Sequence, residues 1–291
     1  MNAMTGAVLE IAEELPGAEP LTPSAARPVT KVRQRRLGLG EPLVLGPLLG
    51  PGLLLLFWCV FSYTGLLDPR ILPSPWATLA TARDLTLDGR LLSNLAVSAI
   101  RAGEGLAFGV VAGLIVALIS GLSRLGGYVF DGPVQMKRSI PSLALIPLLI
   151  LWLGIGEAMK VTVIAIGVFV PIYIQTQAAL RDTEVKYLEL AETLRLSRWR
   201  FIRHVVLPGA LPGFLLGMRF AVMAAWLALV VVEQVNATSG IGYMINLART
   251  YAQTDVIVVG LVVYALLGLT SNALVRLVEA RVLRWRRTIS P

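Results

Sequence analysis

The sequence predicts an all-α integral-membrane protein: a bundle of about six transmembrane helices with a helical loop on the cytoplasmic side. Three observations predict it. Of 291 residues, 56% are hydrophobic and 15% charged, with a mean hydropathy of +0.73, whereas soluble domains carry about 25% charged residues. Six apolar stretches each approach or exceed the roughly 20 residues a helical span needs. The strong basic clusters, at 31–36, 195–203 and 281–287, each flank one of those stretches.

Taken in order, residues 1–40 are rich in Ala, Pro, Thr and Glu and end in the basic run "KVRQRR". No signal-peptide core precedes a cleavage site there. The segment reads as a disordered cytoplasmic tail, with a docking tail as the alternative. The membrane domain is expected over 41–284, and 285–291 form a short cytoplasmic end. Within the domain, spans are expected at 43–66, 95–120, 133–155, 161–180, 209–234 and 255–278. Pro141 and Pro147 interrupt the third. Glu157 to Lys160 make a hydrophilic break before the fourth, and a basic loop over 181–208 precedes the fifth. Six crossings from a cytoplasmic N-terminus return the C-terminus to the cytoplasm. Arg195, Arg198, Arg200 and Arg203 then fall inside with Arg281, Arg284, Arg286 and Arg287. The opposite side is mixed: Arg70 with Asp68, Arg83 and Arg90 with Asp84 and Asp88, Lys160 with Glu157. That asymmetry is the positive-inside pattern.

The same composition excludes several functions. The net charge of +8 sits beside apolar runs, which argues for lipid headgroups and against nucleic acid. One cysteine, Cys59, and one histidine, His204, leave no Cys/His metal site and no material for His-based catalysis. No catalytic residue and no metal ligand is expected. Neither a Ser–His set, a paired-Asp site nor an HExxH motif supports a membrane enzyme acting on lipid, the main alternative; an unpowered channel is the other.

The loop "VKYLELAETLRLSRWRFIRHVVLP" (185–208) carries the most information. Tyr187, Leu190, Ala191 and Leu194 recur at helical spacing and predict a short helix with one apolar side. Glu189 and Glu192 lie in or near its first turn, where negative charge is favourable. Trp199, Ile202 and Val206 form a second stripe, read as a helix lying along the membrane surface. Pro208 and Pro212 are expected to break it before the fifth span enters.

Those residues resemble the permease subunits of bacterial binding-protein-dependent ABC importers, whose loop pattern is E-A-A-x3-G-x9-I-x-L-P. Glu189 and Ala191 hold the first and third positions, Val205 the Ile position, and Leu207-Pro208 the close. Leu190 replaces the middle Ala and Arg195 the glycine. A glycine there permits a left-handed turn that costs other residues roughly 1 kcal/mol; either the turn differs here or Arg195 makes a contact that offsets the strain. "LPSP" (72–75), "IPSLALIPLLILWLGIGE" (140–157) and "VVVEQVNATSGIGYMI" (230–245) are similar to the nitrate, sulfonate and taurine branch.

The resemblance implies a type I ABC importer permease fold, a homodimer of this permease, and a coupling helix docked on cytoplasmic ATPase subunits, two per transporter. An extracytoplasmic solute-binding protein would deliver the substrate, an organosulfonate or other small anion, although the branch also carries uncharged, vitamin-like compounds. ATP and Mg would belong to the partner, since this chain has no GxxxxGK[ST] loop and binds no cofactor itself. The docking residues implied are Glu189, Leu190, Ala191, Leu194, Arg195, Leu196, Ser197 and Arg198. Glu189 would pair with a basic group, Leu190 and Leu194 would fill an apolar socket, and Arg195, Ser197 and Arg198 would rim it.

Ionisable residues inside spans face interiors or watery cavities. On that ground Arg101, Glu104, Arg219 and Glu233, with Gln175, Gln234 and Asn236, are candidates for a substrate path. Arg219 attracts an anion or forms a structural pair with Glu104 or Glu233. Gly240 and Gly242 in "TSGIGYMI" predict a tight re-entrant turn at the external mouth or an ordinary loop. The small residues of "GLAFGVVAG" (105–113) line a dimer seam or pack within one subunit.

Overall fold

A computed structural model of the chain describes residues 46–182 and 185–284; the side chains of 46–48, Val185, Leu188, Leu190 and Asn236 lie outside the description. The expected tails, 1–40 and 285–291, also lie outside it. The chain divides at Pro51 into two units, and the architecture below belongs to the second.

Every regular element among the described residues is helical. α1 spans Gly46–Tyr63, α2 Pro75–Leu87, α3 Arg90–Leu122 and α4 Arg124–Ser139. A 3₁₀ turn (Ser142–Leu145) leads to α5, Ile146–Leu153. α6 covers Glu157–Arg181, α7 Val185–Thr193 and α8 Arg198–Phe201, which passes through a π turn (Ile202–Val206) into α9, Leu207–Asn236. α10 is Ile241–Thr250 and α11 Thr254–Val282. Among the described residues, four helices (α3, α6, the α8–α9 run and α11) are long and apolar enough to cross a bilayer. At 1.5 Å per residue, the 25 residues of α6 make about 37 Å.

α6 is the central rod, packed between α3 and α9. On the α3 side, Gly105, Gly109 and Gly113 meet Ile164, Val168 and Ile172 so closely that a Cβ at Gly109 would lie 2.6 Å from that of Val168. The numbers rise together along both helices, so α3 and α6 run parallel. The small-residue stripe therefore packs within one subunit. On the other side Gly217 faces Gln175, while Glu233, at the far end of α9, meets Arg101 of α3, so α9 is antiparallel to α6. The core between the rods is apolar: Met159, Val163, Val168, Ala225, Leu229 and Val232 are buried.

Parallel α3 and α6 require the chain to return across the bundle between them. The pair α4 and α5 does so as one broken span, bent by 91°. The interruption expected at Pro141 in the third span, 133–155, is this bend, and the broken pair begins earlier than expected, at Arg124. Pro141 forces its predecessor out of helical geometry, and Ile140 is extended with φ −97° and ψ 118°. The expected hydrophilic break at Glu157–Lys160 is instead the first turn of α6. Within "LPSP", Ser74 caps α2 by accepting from the Ala77 amide, with Pro75 at the first helical position.

The fifth span holds a second correction. Pro208 and Pro212 do not interrupt it: the helical path runs from Arg198 to Val235, so the surface elbow expected over 199–206 is the span's own extension. A proline lacks an N–H and crowds the carbonyl four residues back. The π turn absorbs both by widening the helix just before Pro208; the Leu207 amide reaches back five residues to the Ile202 carbonyl.

Candidate functional site

Polar side chains gather at the two ends of the bundle and at one place between them. At the first end, Arg101 is 3% exposed and spends all its donors. Nε and Nη2 grip Glu157 at 2.6 and 2.7 Å, while Nη1 donates to Glu233 at 2.8 Å and to the Ser239 carbonyl at 2.6 Å. Nη2 also reaches Ser239 Oγ at 3.1 Å. Lys160 Nζ completes Glu157 at 2.9 Å. Glu233 is buried and accepts from Ser98, the Gly242 amide and Tyr264. Two cations thus face two anions, and each buried charge is paired, as burial demands.

The turn after α9 is moulded around Glu233. Gly240 has φ +111°, a left-handed value that favours glycine, and a Cβ at Gly242 would lie 2.6 Å from that of Glu233. "TSGIGYMI" is therefore a closing strap over a buried carboxylate, continuing into α10, whose Ile241, Met244 and Ile245 are buried.

At the opposite end Tyr173 of α6 donates to Asp131 of α4 at 2.6 Å, and Gln177 bonds the same carboxylate. Arg181 pairs with Asp131 at 2.9 Å and reaches the Ser120 carbonyl, tying α3, α4 and α6 together. Here both partners are partly exposed, Arg181 46% and Asp131 35% open, whereas in the first cluster Glu157 alone is open, at 61%.

Beside it sits the loop. α7 ends in a Schellman turn: the Leu196 amide bonds the Ala191 carbonyl and the Arg195 amide that of Glu192. Arg195 itself is left-handed, with φ +50°. Its side chain is exposed and has no hydrogen bond or ion pair among the described residues, so nothing there offsets the strain. Ser197 caps α8 by accepting from the Arg200 amide, and Arg198 reaches the Leu122 carbonyl at the end of α3. Glu189, Leu194, Leu196, Ser197 and Arg198 are exposed, whereas Ala191 is buried. Leu190's side chain lies outside the description.

The remaining path candidates scatter. Arg101 and Glu233 belong to the first cluster. Arg219 pairs with Glu279 of α11, 2.5 Å away, rather than with the Glu104 or Glu233 expected of it; the contact is off hydrogen-bonding geometry, for Arg219 Nε and Glu279 Oε2 have no hydrogen-bond partner among the described residues. Gln175 packs against Gly217, and Gln234 is half-buried. Asn236's side chain lies outside the description. Glu104 lines a cleft of about 770 Å³ between α3, α6 and the broken span.

That cleft holds a residue sequence reasoning passed over, Lys137, although it lies inside the expected third span. Its Nζ donates to Ser142 Oγ at 2.7 Å and to the Ile166 carbonyl at 3.1 Å. Among the described residues no carboxylate pairs with it. The Asp131 cluster was missed too; its α6 members, Tyr173, Gln177 and Arg181, lie 42 to 61 residues from Asp131 and Ser120, and no local pattern joins the two groups.

The model for the binding-protein-dependent transport system inner membrane component family matches residues 109–284. A Bacillus subtilis (strain 168) protein is 37% identical over 258 residues, covering 89% of this chain and 92% of its own length. One from Escherichia coli (strain K12) is 43% identical over 228 residues, 78% of this chain and 87% of its own length. Both carry the provisional name aliphatic sulfonates transport permease protein SsuC. Among solved structures, an amino acid ABC transporter crystallised with histidines superposes with TM-score 0.58 at 20% identity, over 68% of this chain and 97% of its own. That likeness concerns the fold alone.

Proposed function

The chain belongs to the binding-protein-dependent transport system inner membrane components, and we propose that it carries an aliphatic sulfonate or similar small anion inward, driven by a separate ATPase. It is a multi-pass membrane permease, and the lipid-enzyme and unpowered-channel readings give way to that. The sulfonate comes from the names of the two relatives.

The membrane domain spans 41–284, with residues 1–40 and 285–291 as cytoplasmic tails. The loop at 181–208 faces the cytoplasm, as the basic charge of its end of the bundle supports. Two ATPase subunits grip two copies of the permease at Glu189, Leu190, Leu194, Arg195, Leu196, Ser197 and Arg198. Buried Ala191 holds α7 against its own chain, and a separate solute-binding protein docks at the Arg101 end. ATP and Mg stay with the ATPase.

One observation carries the reading. The loop helix α7 is joined by the tight turn at 194–197 to the head of an unbroken rod: α8 and the π turn continue into α9 with no break at Pro208. A pull on the exposed face of α7 would pass through that hydrogen-bonded turn to α9 and, since α9 packs on α6, to α6. Such rigid-body transmission is what alternating access needs.

Co-purification with the ATPase and sulfonate uptake in proteoliposomes test this together. Glu189→Arg should leave insertion and folding intact, abolish uptake, and uncouple ATP hydrolysis from substrate delivery. Undiminished uptake by that variant would remove the loop from the mechanism.

A further inference from the structure

We propose that Lys137 is the anion-binding group of the translocation path, holding the sulfonate headgroup within the bilayer while the aliphatic tail lies on the apolar wall of the cleft. The inference rests on the importer reading above and names the contact inside it.

Depth is the first argument. Ile166, whose carbonyl Lys137 touches, is the tenth residue of α6, about 14 Å from one end of a rod about 37 Å long. Lys137 thus sits inside the hydrocarbon zone, where a charged side chain is expensive and marks a pathway by default.

Partnering is the second. Arg101, also inside a span, has every donor engaged and two carboxylates against it. Lys137 has two neutral oxygens and no carboxylate within 4.0 Å among the described residues. An ammonium has three donors, so one remains for a ligand.

The cleft itself supplies the third. Around Lys137 the walls are Phe108, Ala112, Leu145, Ile166 and Phe169. One cation among apolar side chains complements an anionic head on an aliphatic tail. Two carboxylates share the cleft. Glu157 is neutralised by Arg101 and Lys160. Glu104 is unpaired among the described residues and lies toward the Arg101 end, so an anion entering from there passes a repelling charge before reaching the attracting one.

Two measurements on the full chain test this. The first reconstitutes the permease with its ATPase and binding protein and follows ethanesulfonate uptake. Lys137→Gln should lower uptake about tenfold, Lys137→Arg should retain most of it, and both should keep ATP hydrolysis that responds to loaded binding protein. The second places a cysteine at Ala112 in a Cys59→Ser background and compares an anionic, sulfonate-bearing thiol reagent with a cationic one. Lys137→Gln should cut the anionic-to-cationic rate ratio about tenfold, and Glu104→Gln should raise it. Normal uptake by Lys137→Gln overturns the inference. So does loss of both uptake and stimulated hydrolysis in Gln and Arg variants alike, which would make the lysine a clamp on the α4–α5 break. If the unaltered permease takes up no sulfonate, the substrate assignment fails. The reagent ratio then decides alone: a tenfold fall keeps the anion site for another anion, and an unchanged ratio removes it.

Discussion

The two ends of the bundle are built on opposite terms. At the Arg101 end each buried charge meets an opposite charge, and the strap at Gly240–Gly242 wraps a carboxylate that is 1% exposed. The Arg181 end leaves its carboxylate a third open, carries a left-handed arginine and presents Leu194 and Trp199 at 60% and 66% exposure. One end pairs its buried charges within the chain. The other leaves its ion pair partly open. Parts that must move or dock come from the less stable end of a molecule, and here the less satisfied end bears the loop.

The largest expected effect breaks the Arg101 end. Arg101→Gln strands buried Glu233 without its cation, while exposed Glu157 keeps Lys160, and should cost about 3–5 kcal/mol, read as a collapse in thermal stability in mild detergent. Asp131→Asn, the matching change at the open end, should cost about 1 kcal/mol because water reaches that cluster. Equal losses would erase the distinction between the ends.

A smaller effect sharpens the comparison along α3. Gly109→Val drives side-chain atoms into Val168 and the Ala165 carbonyl and should destabilise by about 1–3 kcal/mol. Gly103→Ala, in the same helix with nothing within 4 Å of its new Cβ, should stabilise by about 0.5–1 kcal/mol. Thermal melts of the two variants should move in opposite directions.

A similarly small effect at the open end has the opposite sign to the first. Arg195→Gly relieves the left-handed strain and should stabilise the loop by about 1 kcal/mol, seen as slower hydrogen exchange at the Leu196 amide. No gain would mean that the Schellman turn holds Arg195 without strain.

The sequence made the rods legible because a span is a long local signal: the expected 255–278 and 161–180 fall inside α11 and α6. Prolines were legible as disturbances but not as outcomes. Pro141 sits at a 91° break, while Pro208 is absorbed by a π turn that depends on one backbone bond. Arg101 and Glu233 stood out as charges in oily stretches; that they meet each other, 132 residues apart, is a tertiary fact. The rule that singled them out applies equally to Lys137, which was hidden by the polar run "MKRS" at the edge of an expected span. Arg195 was readable as a glycine replaced, and only the backbone tells that the turn survives the replacement.

Side-specific labelling tests the assignment of the open end most directly. A cysteine at exposed Glu192, in a Cys59→Ser background, would be offered an impermeant thiol reagent in intact cells and in inverted vesicles. Labelling confined to inverted vesicles places the open end where an ATPase can grip it. Labelling in intact cells would put that end outside the cell and contradict the role given to it here.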